Sequence, residues 1–212
     1  MTVSDQGSES AEKLSVIASE VKVCTLCELS RTRTNAVPGE GDANARVMLI
    51  GEGPGWHEDQ EGRPFIGNAG KFLTELLEKA GLRREDVFIT NVVKCRPPSN
   101  RDPLPDEIHA CSLYLERQIA TIDPDVIVTL GRFSMAKYFP GERISRIHGQ
   151  AKKLGNRLVV PMYHPAAALH QGNLRGEIEE DFAKLPKLLA ERERERDAEV
   201  EREAPPRQIS LF

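Results

Sequence analysis

Apolar residues in this chain follow two spacings. Leu14, Val16, Ile17 and Val21 recur at helical intervals, so the pattern predicts an amphipathic helix over Ser10–Val23. Val47–Gly51, Val87–Asn91, Val126–Leu130 and Leu158–Met162 are short apolar runs rich in β-branched residues, as expected of strands buried on both faces. Helical patterns separate them. Gly70–Ala80 carries Phe72, Leu73, Leu76, Leu77 and Ala80 on one face, with Gly81 as a stop. Pro103–Thr121, Phe133–Phe139 and Glu177–Ala190, the last running through Pro186, are the other predicted helices. The alternation predicts an α/β fold: a three-layer sandwich whose central, mostly parallel four-stranded sheet is flanked by helices. Such sheets bind ligands beyond the carboxyl ends of their strands. Three unusual segments follow strand ends here, namely Gly51–Gly67, Asn91–Arg101 and His164–Gly172.

One folded domain is expected over residues 10–190. Residues 1–9 are polar and expected to be loose, and residues 191–207 read as a charged tether. The alternating Glu–Arg run from Glu191 has no apolar stripe, so it is expected not to pack. It either extends the last helix through i,i+4 pairs or stays solvated. The chain then ends in an apolar peptide, residues 208–212.

The 212 residues include 33 acidic and 29 basic side chains, and the acidic excess sits at the two ends. The body is neutral, so affinity for nucleic acid must come from a local patch. Arg63, Lys94, Arg96, Arg101, Arg143, Arg146, Lys152, Lys153 and Arg175 are candidates for a basic rim. No apolar run approaches the roughly 20 residues a bilayer span needs. Met1–Ser10 lacks the apolar core of a secretion signal, which makes a cytoplasmic address the expectation.

In a reducing compartment, four cysteines are read as metal ligands or core residues rather than disulfides. Cys24 and Cys27 form a CxxC pair, with Cys95 and Cys111 apart from it. Four thiolates suit either zinc or an iron–sulfur cluster; one close pair instead of two favours the cluster. Two isolated core cysteines are the plainer alternative.

Chemistry also gathers in the strand-end segments. Gly51-Glu52-Gly53-Pro54-Gly55 lets a ligand approach the backbone closely, but no Gly-Lys-Ser/Thr follows to make a phosphate loop. Phe65, among Gly, Pro and Arg, is either a core plug or a stacking platform. Asn91 offers a donor and an acceptor at a strand end, as needed to read a nucleobase edge, and also suits an ordinary turn. His164, held by Pro165, can place a ring nitrogen against developing negative charge or serve structurally.

In order and spacing, four motifs with four cysteines resemble the iron–sulfur uracil-DNA glycosylases, family 4 of their superfamily. The motifs are Gly51-Glu-Gly-Pro-Gly55, Gly62-Arg-Pro-Phe-Ile-Gly67, Thr90-Asn-Val-Val-Lys-Cys-Arg-Pro-Pro98 and His164-Pro165. The resemblance spans roughly residues 14–190. It implies excision of uracil from DNA and a 4Fe–4S cluster on Cys24, Cys27, Cys95 and Cys111. It further implies that Phe65 stacks on the flipped uracil and Asn91 pairs with its O4/N3 edge. The backbone at Glu52 and Gly53 then lines the pocket and His164 faces O2, with Glu58 and Asn100 close to the sugar or water. Leu169 is the expected wedge in the duplex. A related branch captures uracil covalently through an inserted basic loop, which the run Cys95–Asn100 lacks. Gln208-Ile-Ser-Leu-Phe212 resembles the bacterial sliding-clamp binding motif, with Gln208 at a pocket rim and Leu211 and Phe212 in an apolar cleft. The expected species is a monomer acting on the nucleoid.

Overall fold

A computed structural model describes residues 3–203. Alternate side chains of each central strand enter opposite layers, so the sheet divides the core in two. Six strands build it: β1 (Glu40–Gly41), β2 (Val47–Gly51), β3 (Phe88–Asn91), β4 (Val126–Leu130), β5 (Lys152–Leu154) and β6 (Arg157–Met162). Their order is β1-β3-β2-β4-β6-β5. The inner four are parallel, and the edge strands β1 and β5 pair antiparallel with β3 and β6. The expected four strands are therefore the centre of a six-stranded sheet. The added strands are two and three residues long and polar, so they carry no periodicity that a sequence could show.

Val47, Leu49, Val128 and Val160 pack under α3 (Asn68–Lys79), α8 (Leu174–Phe182) and the start of α9 (Leu185–Glu203). Met48, Ile50, Ile127 and Val159 face the other layer, built on α1 (Val3–Val23) and α4 (Pro105–Ile122). Burial on both faces is why these strands read as continuous apolar runs.

Four expectations change. Helix α1 starts at Val3, not Ser10; a Glu9–Lys13 i,i+4 pair at 2.6 Å supports its early turns, and the Ser10 hydroxyl donates to the Thr121 carbonyl of α4 at 3.4 Å. The Gly51–Gly67 loop contains a short helix, α2 (Trp56–Glu61), and two more short helices, α5 (Arg132–Ala136) and α6 (Ile144–Ile147), lie between β4 and β5. The last predicted helix is two: α8 ends at Phe182, and Pro186 sits in the first turn of α9, where a missing N–H costs nothing. The charged run continues α9 as a helix, and two of its arginines do pack against the body. Arg192 is buried, donating to the Asn156 carbonyl at 2.8 Å and to Glu199 at 3.1 Å. Asp125 accepts from Arg46 at 2.7 Å and Arg196 at 3.3 Å. Gln208, Leu211 and Phe212 lie outside the described residues. No helix among the described residues is long and apolar enough to cross a membrane.

Chain order reverses around β2, since β3 lies on one side and β4 on the other. In doubly wound sheets that switch point places a crevice at the carboxyl ends of the strands.

Candidate functional site

Register puts Gly51 beside Asn91 and Leu130 beside Met162. The β2–β3 ladder continues past the strands, with Val92 N–H on the Gly51 carbonyl at 3.0 Å and Val93 N–H on Glu52 at 3.1 Å. Gly51 is glycine for room. A Cβ there would lie 2.3 Å from Asn91 Oδ1 and 2.7 Å from the Phe65 ring. The amide and the ring thus share the space a side chain would fill. Asn91 is 1% exposed, and its Oδ1 has no hydrogen-bond partner. A buried acceptor without a donor costs free energy unless a ligand supplies one.

Phe65 holds a left-handed backbone, φ 51°, unusual for a bulky residue. Two features impose it. Gly70 packs so closely that a Cβ would fall 1.9 Å from the Phe65 carbonyl oxygen. The Glu58 carboxylate straps both sides of the loop, accepting from Gly55 N–H at 3.1 Å, Ile66 N–H at 3.0 Å and Gly67 N–H at 2.9 Å.

His164 ends the β6 segment and caps α7 (Pro165–His170). Its Nδ1 accepts from Ala166 N–H at 3.1 Å, so in the neutral ring the proton sits on Nε2. Burial pulls the imidazole pKa down to about 4, with the Glu58 charge opposing weakly, so the ring is neutral at pH 7. It stacks on Phe65 at 5.5 Å between centroids, tilted 28°. Holding a base between two rings takes about 7 Å, twice the ~3.4 Å stacking rise. The space between the two rings is therefore too narrow for a flat ligand.

A cleft of about 400 Å³ brings together Glu52, Gly53, Glu58, Phe65, Asn91, Asn100 and His164, all singled out in the sequence. Burial pushes the Glu52 carboxyl up, with Asp102 adding and Arg132 opposing. Asn100 follows Ser99 in a left-handed turn and accepts from Arg96 Nε at 2.7 Å. Leu169 stands outside the cleft on α7, 51% exposed, between the lining residues Ala166 and His170.

The basic rim contracts. Arg101 lines the cleft, anchored to Glu107 at 2.7 Å, and Arg96 holds Asn100. Lys94 is buried; Arg63, Lys153 and Arg175 are paired with Glu40, Glu195 and Glu75. Sequence reasoning missed the strap made by Glu58 and the space kept by Gly51. Only the glycine-rich spacing hinted at them.

The four cysteines are free and line one small cavity beside the end of α1. Donors reach three sulfurs: Arg33 Nη1 to Cys95 at 3.0 Å, Lys94 N–H to Cys111 at 3.2 Å and Leu26 N–H to Cys24 at 3.5 Å. Burial pushes the thiols of Cys27 and Cys95 up, and that of Cys111 to about 11. Among the described residues no three Cys, His, Asp or Glu side chains converge on a single ion position.

The family model of the uracil DNA glycosylase superfamily matches residues 38–186. The chain is 51% identical over 189 residues to a type-4 uracil-DNA glycosylase of Saccharolobus solfataricus, covering 84% of this chain and 88% of that one. It is 47% identical over 191 residues to a type-4 enzyme of Archaeoglobus fulgidus (86% and 96% covered) and 46% identical over 183 residues to one of Thermotoga maritima (84% and 95% covered). A glycine-cleared cleft at the switch point of a mostly parallel sheet, and identity near one half across most of the chain, place this protein in the uracil-DNA glycosylase superfamily, within its type-4 branch.

Proposed function

We propose that the chain hydrolyses the N-glycosidic bond of deoxyuridine in DNA, releasing uracil and leaving an abasic site. The observation that carries this reading is the orphaned Asn91 Oδ1, buried against the Phe65 ring in the cleft that also holds His164. A base within a duplex is out of reach and must be flipped, at a cost of a few kcal/mol. Phe65 offers the flipped base a face to stack on. Asn91 Oδ1 accepts from uracil N3–H and Nδ2 donates to O4. Cytosine, with an amino group at that edge and no N3–H, leaves the amide mismatched. Strapping by Glu58 keeps the Phe65 loop in place, and the Glu52–Gly53 backbone lines the base.

As the C1′–N1 bond breaks, its electron pair moves onto uracil, largely to O2, and the sugar becomes cationic. Nε2–H of neutral His164 is the donor for O2; oxyanion donors of this kind are worth about 3–4 kcal/mol. Water adds to C1′ and loses a proton. Glu58 Oε1 is filled by two backbone donors, whereas Oε2 keeps a lone pair that suits a hydrogen bond from that water, with Asn100 nearby. Leu169, exposed beside the cleft, suits the wedge role.

The four thiols fit a 4Fe–4S cluster on Cys24, Cys27, Cys95 and Cys111. The donor set is all thiol, and N–H groups already point at three sulfurs. One zinc ion would need all four sulfurs about 2.3 Å from a single point, and among the described residues they do not converge so. When bound, the cluster supplies a covalent cross-link between α1, the β3 loop and α4. We assign the C-terminal peptide Gln208–Phe212 to a sliding clamp, and the enzyme to the cytoplasm as a monomer on nucleoid DNA.

The test is release of free uracil from single-stranded and duplex oligonucleotides. His164→Ser and Asn91→Ala should each slow release by at least tenfold while DNA binding stays within about threefold. Release at the wild-type rate by both variants overturns the site assignment. A denaturation-resistant complex without free uracil supports non-hydrolytic capture instead.

A further inference from the structure

Among the described residues, exposed large apolar side chains fall into two groups. Val16, Val23, Leu26 and Leu113 lie on α1, the Cys24–Cys27 turn and α4. Trp56 and Leu169 lie instead in the segments that follow β2 and β6, and Leu104 just beyond the one that follows β3, each within three residues of a residue lining the cleft. Trp56 is the largest of these and the only tryptophan in the chain.

It follows Gly55 directly and precedes Glu58 by two positions, and both of these line the cleft. Its backbone is thus one ~3.8 Å step from the cleft wall. Glu58 straps the loop on either side, so the position is fixed. The indole is 53% exposed, and an edge-to-face contact with His57 at 5.0 Å is its one ring contact among the described residues. A half-bare indole beside a strapped loop matches what single-strand binding surfaces use, an aromatic plane that any base can stack on. Flipping a nucleotide also strips its neighbour of one stacking partner.

We propose that Trp56 is a stacking platform for the nucleobase next to the extruded uracil in the same strand. Two aromatic positions then serve the strand: Phe65 inside the cleft for the base to be removed, and Trp56, next to the lining residue Gly55, for its neighbour. Stacking on Trp56 is independent of base identity, so it raises affinity for the strand without altering discrimination at Asn91. The inference rests on the glycosylase reading of the cleft, but its readout does not require excision.

Because Trp56 is unique, tryptophan emission reports on it alone. The probe is a short single-stranded oligonucleotide with a central 2′-fluoro-2′-deoxyuridine, whose electron-withdrawing fluorine opposes the cationic sugar and prevents hydrolysis. On titration into the holoenzyme, emission should be quenched to a plateau that follows binding measured by anisotropy of end-labelled DNA. Trp56→Leu should weaken binding about tenfold or more while kcat on saturating uracil-DNA stays within about twofold; Trp56→Phe should recover most of the affinity. All variants should keep the wild-type melting temperature. Saturable binding with unchanged emission, leucine binding as tightly as tryptophan, or a loss confined to kcat overturns the platform. If the wild-type enzyme releases uracil while any of these holds, the inference alone fails; if it binds DNA with quenching but releases no uracil, the functional reading alone fails.

Discussion

The Lys94 ammonium donates to the Asn91 main-chain carbonyl at 2.8 Å, from a side chain only 1% exposed. Its other acceptors are Gln118 Oε1, at 2.7 Å, and the Thr90 hydroxyl, and all three partners are uncharged. The same residue's N–H reaches Cys111 Sγ, so one residue spans from the thiol cavity to the main chain of the residue assigned to base reading. Replacing Lys94 with Met removes the ammonium and leaves buried acceptors unpaired. A loss of about 1–3 kcal/mol of stability is expected. Uracil release should fall with it, because the Asn91 backbone loses an anchor. Urea unfolding and single-turnover release measure the two effects; a variant with wild-type stability and rate contradicts this account.

Gly51→Ala is the sharpest test of the base pocket. Its methyl group would enter space occupied by Asn91 Oδ1 and the Phe65 ring, both in the site and neither able to retreat far. Misplacement near 1 Å costs roughly a hundredfold in rate, so single-turnover release should drop by about that factor. Circular dichroism should show the fold retained. A rate within twofold of wild type means the pocket has slack that the structure lacks.

His164 carries a pH signature. Its ordinary pKa is 6.5 and its folded value about 4, so between these the unfolded chain binds more protons. The stabilisation from keeping the ring neutral is fully present above pH 6.5 and is lost as pH falls towards 4, an effect on the order of 3 kcal/mol. Denaturant unfolding at pH 7 and pH 4.5 should reveal this loss in the wild type and a smaller one in His164→Gln. Equal acid sensitivity in both proteins places the loss elsewhere.

Anaerobically purified protein should be brown, with close to four irons and four sulfides per chain. Cys111→Ser should lose colour and iron together, and melt at a lower temperature, because the cross-link to α4 is gone. Colourless protein carrying a single zinc ion contradicts the cluster assignment.

Deleting Gln208–Phe212 should abolish binding to a bacterial sliding clamp while leaving uracil release from short oligonucleotides unchanged. Tethering raises effective concentration on clamp-loaded DNA without adding anything to the pocket. Clamp binding that survives the deletion rules the peptide out.

The chain's one-dimensional pattern determined a great deal. Val47–Gly51, Val126–Leu130 and the apolar face of Gly70–Ala80 read correctly because burial on both faces, or on one helical face, writes itself as periodicity. Motif residues at strand ends were legible for a related reason: Gly51–Gly55, Asn91 and His164 interrupt that periodicity with residue types that do not serve a core. Tertiary structure alone decided what these residues touch. Nothing local says that Glu58 closes on Gly67 nine residues away, that Lys94 turns inward instead of joining a basic rim, or that Arg192 is buried against the Asn156 carbonyl. Each of those outcomes depends on a polar group meeting a partner brought by another segment. Hydrophobic burial repeats along a chain, whereas polar satisfaction is settled only where segments meet.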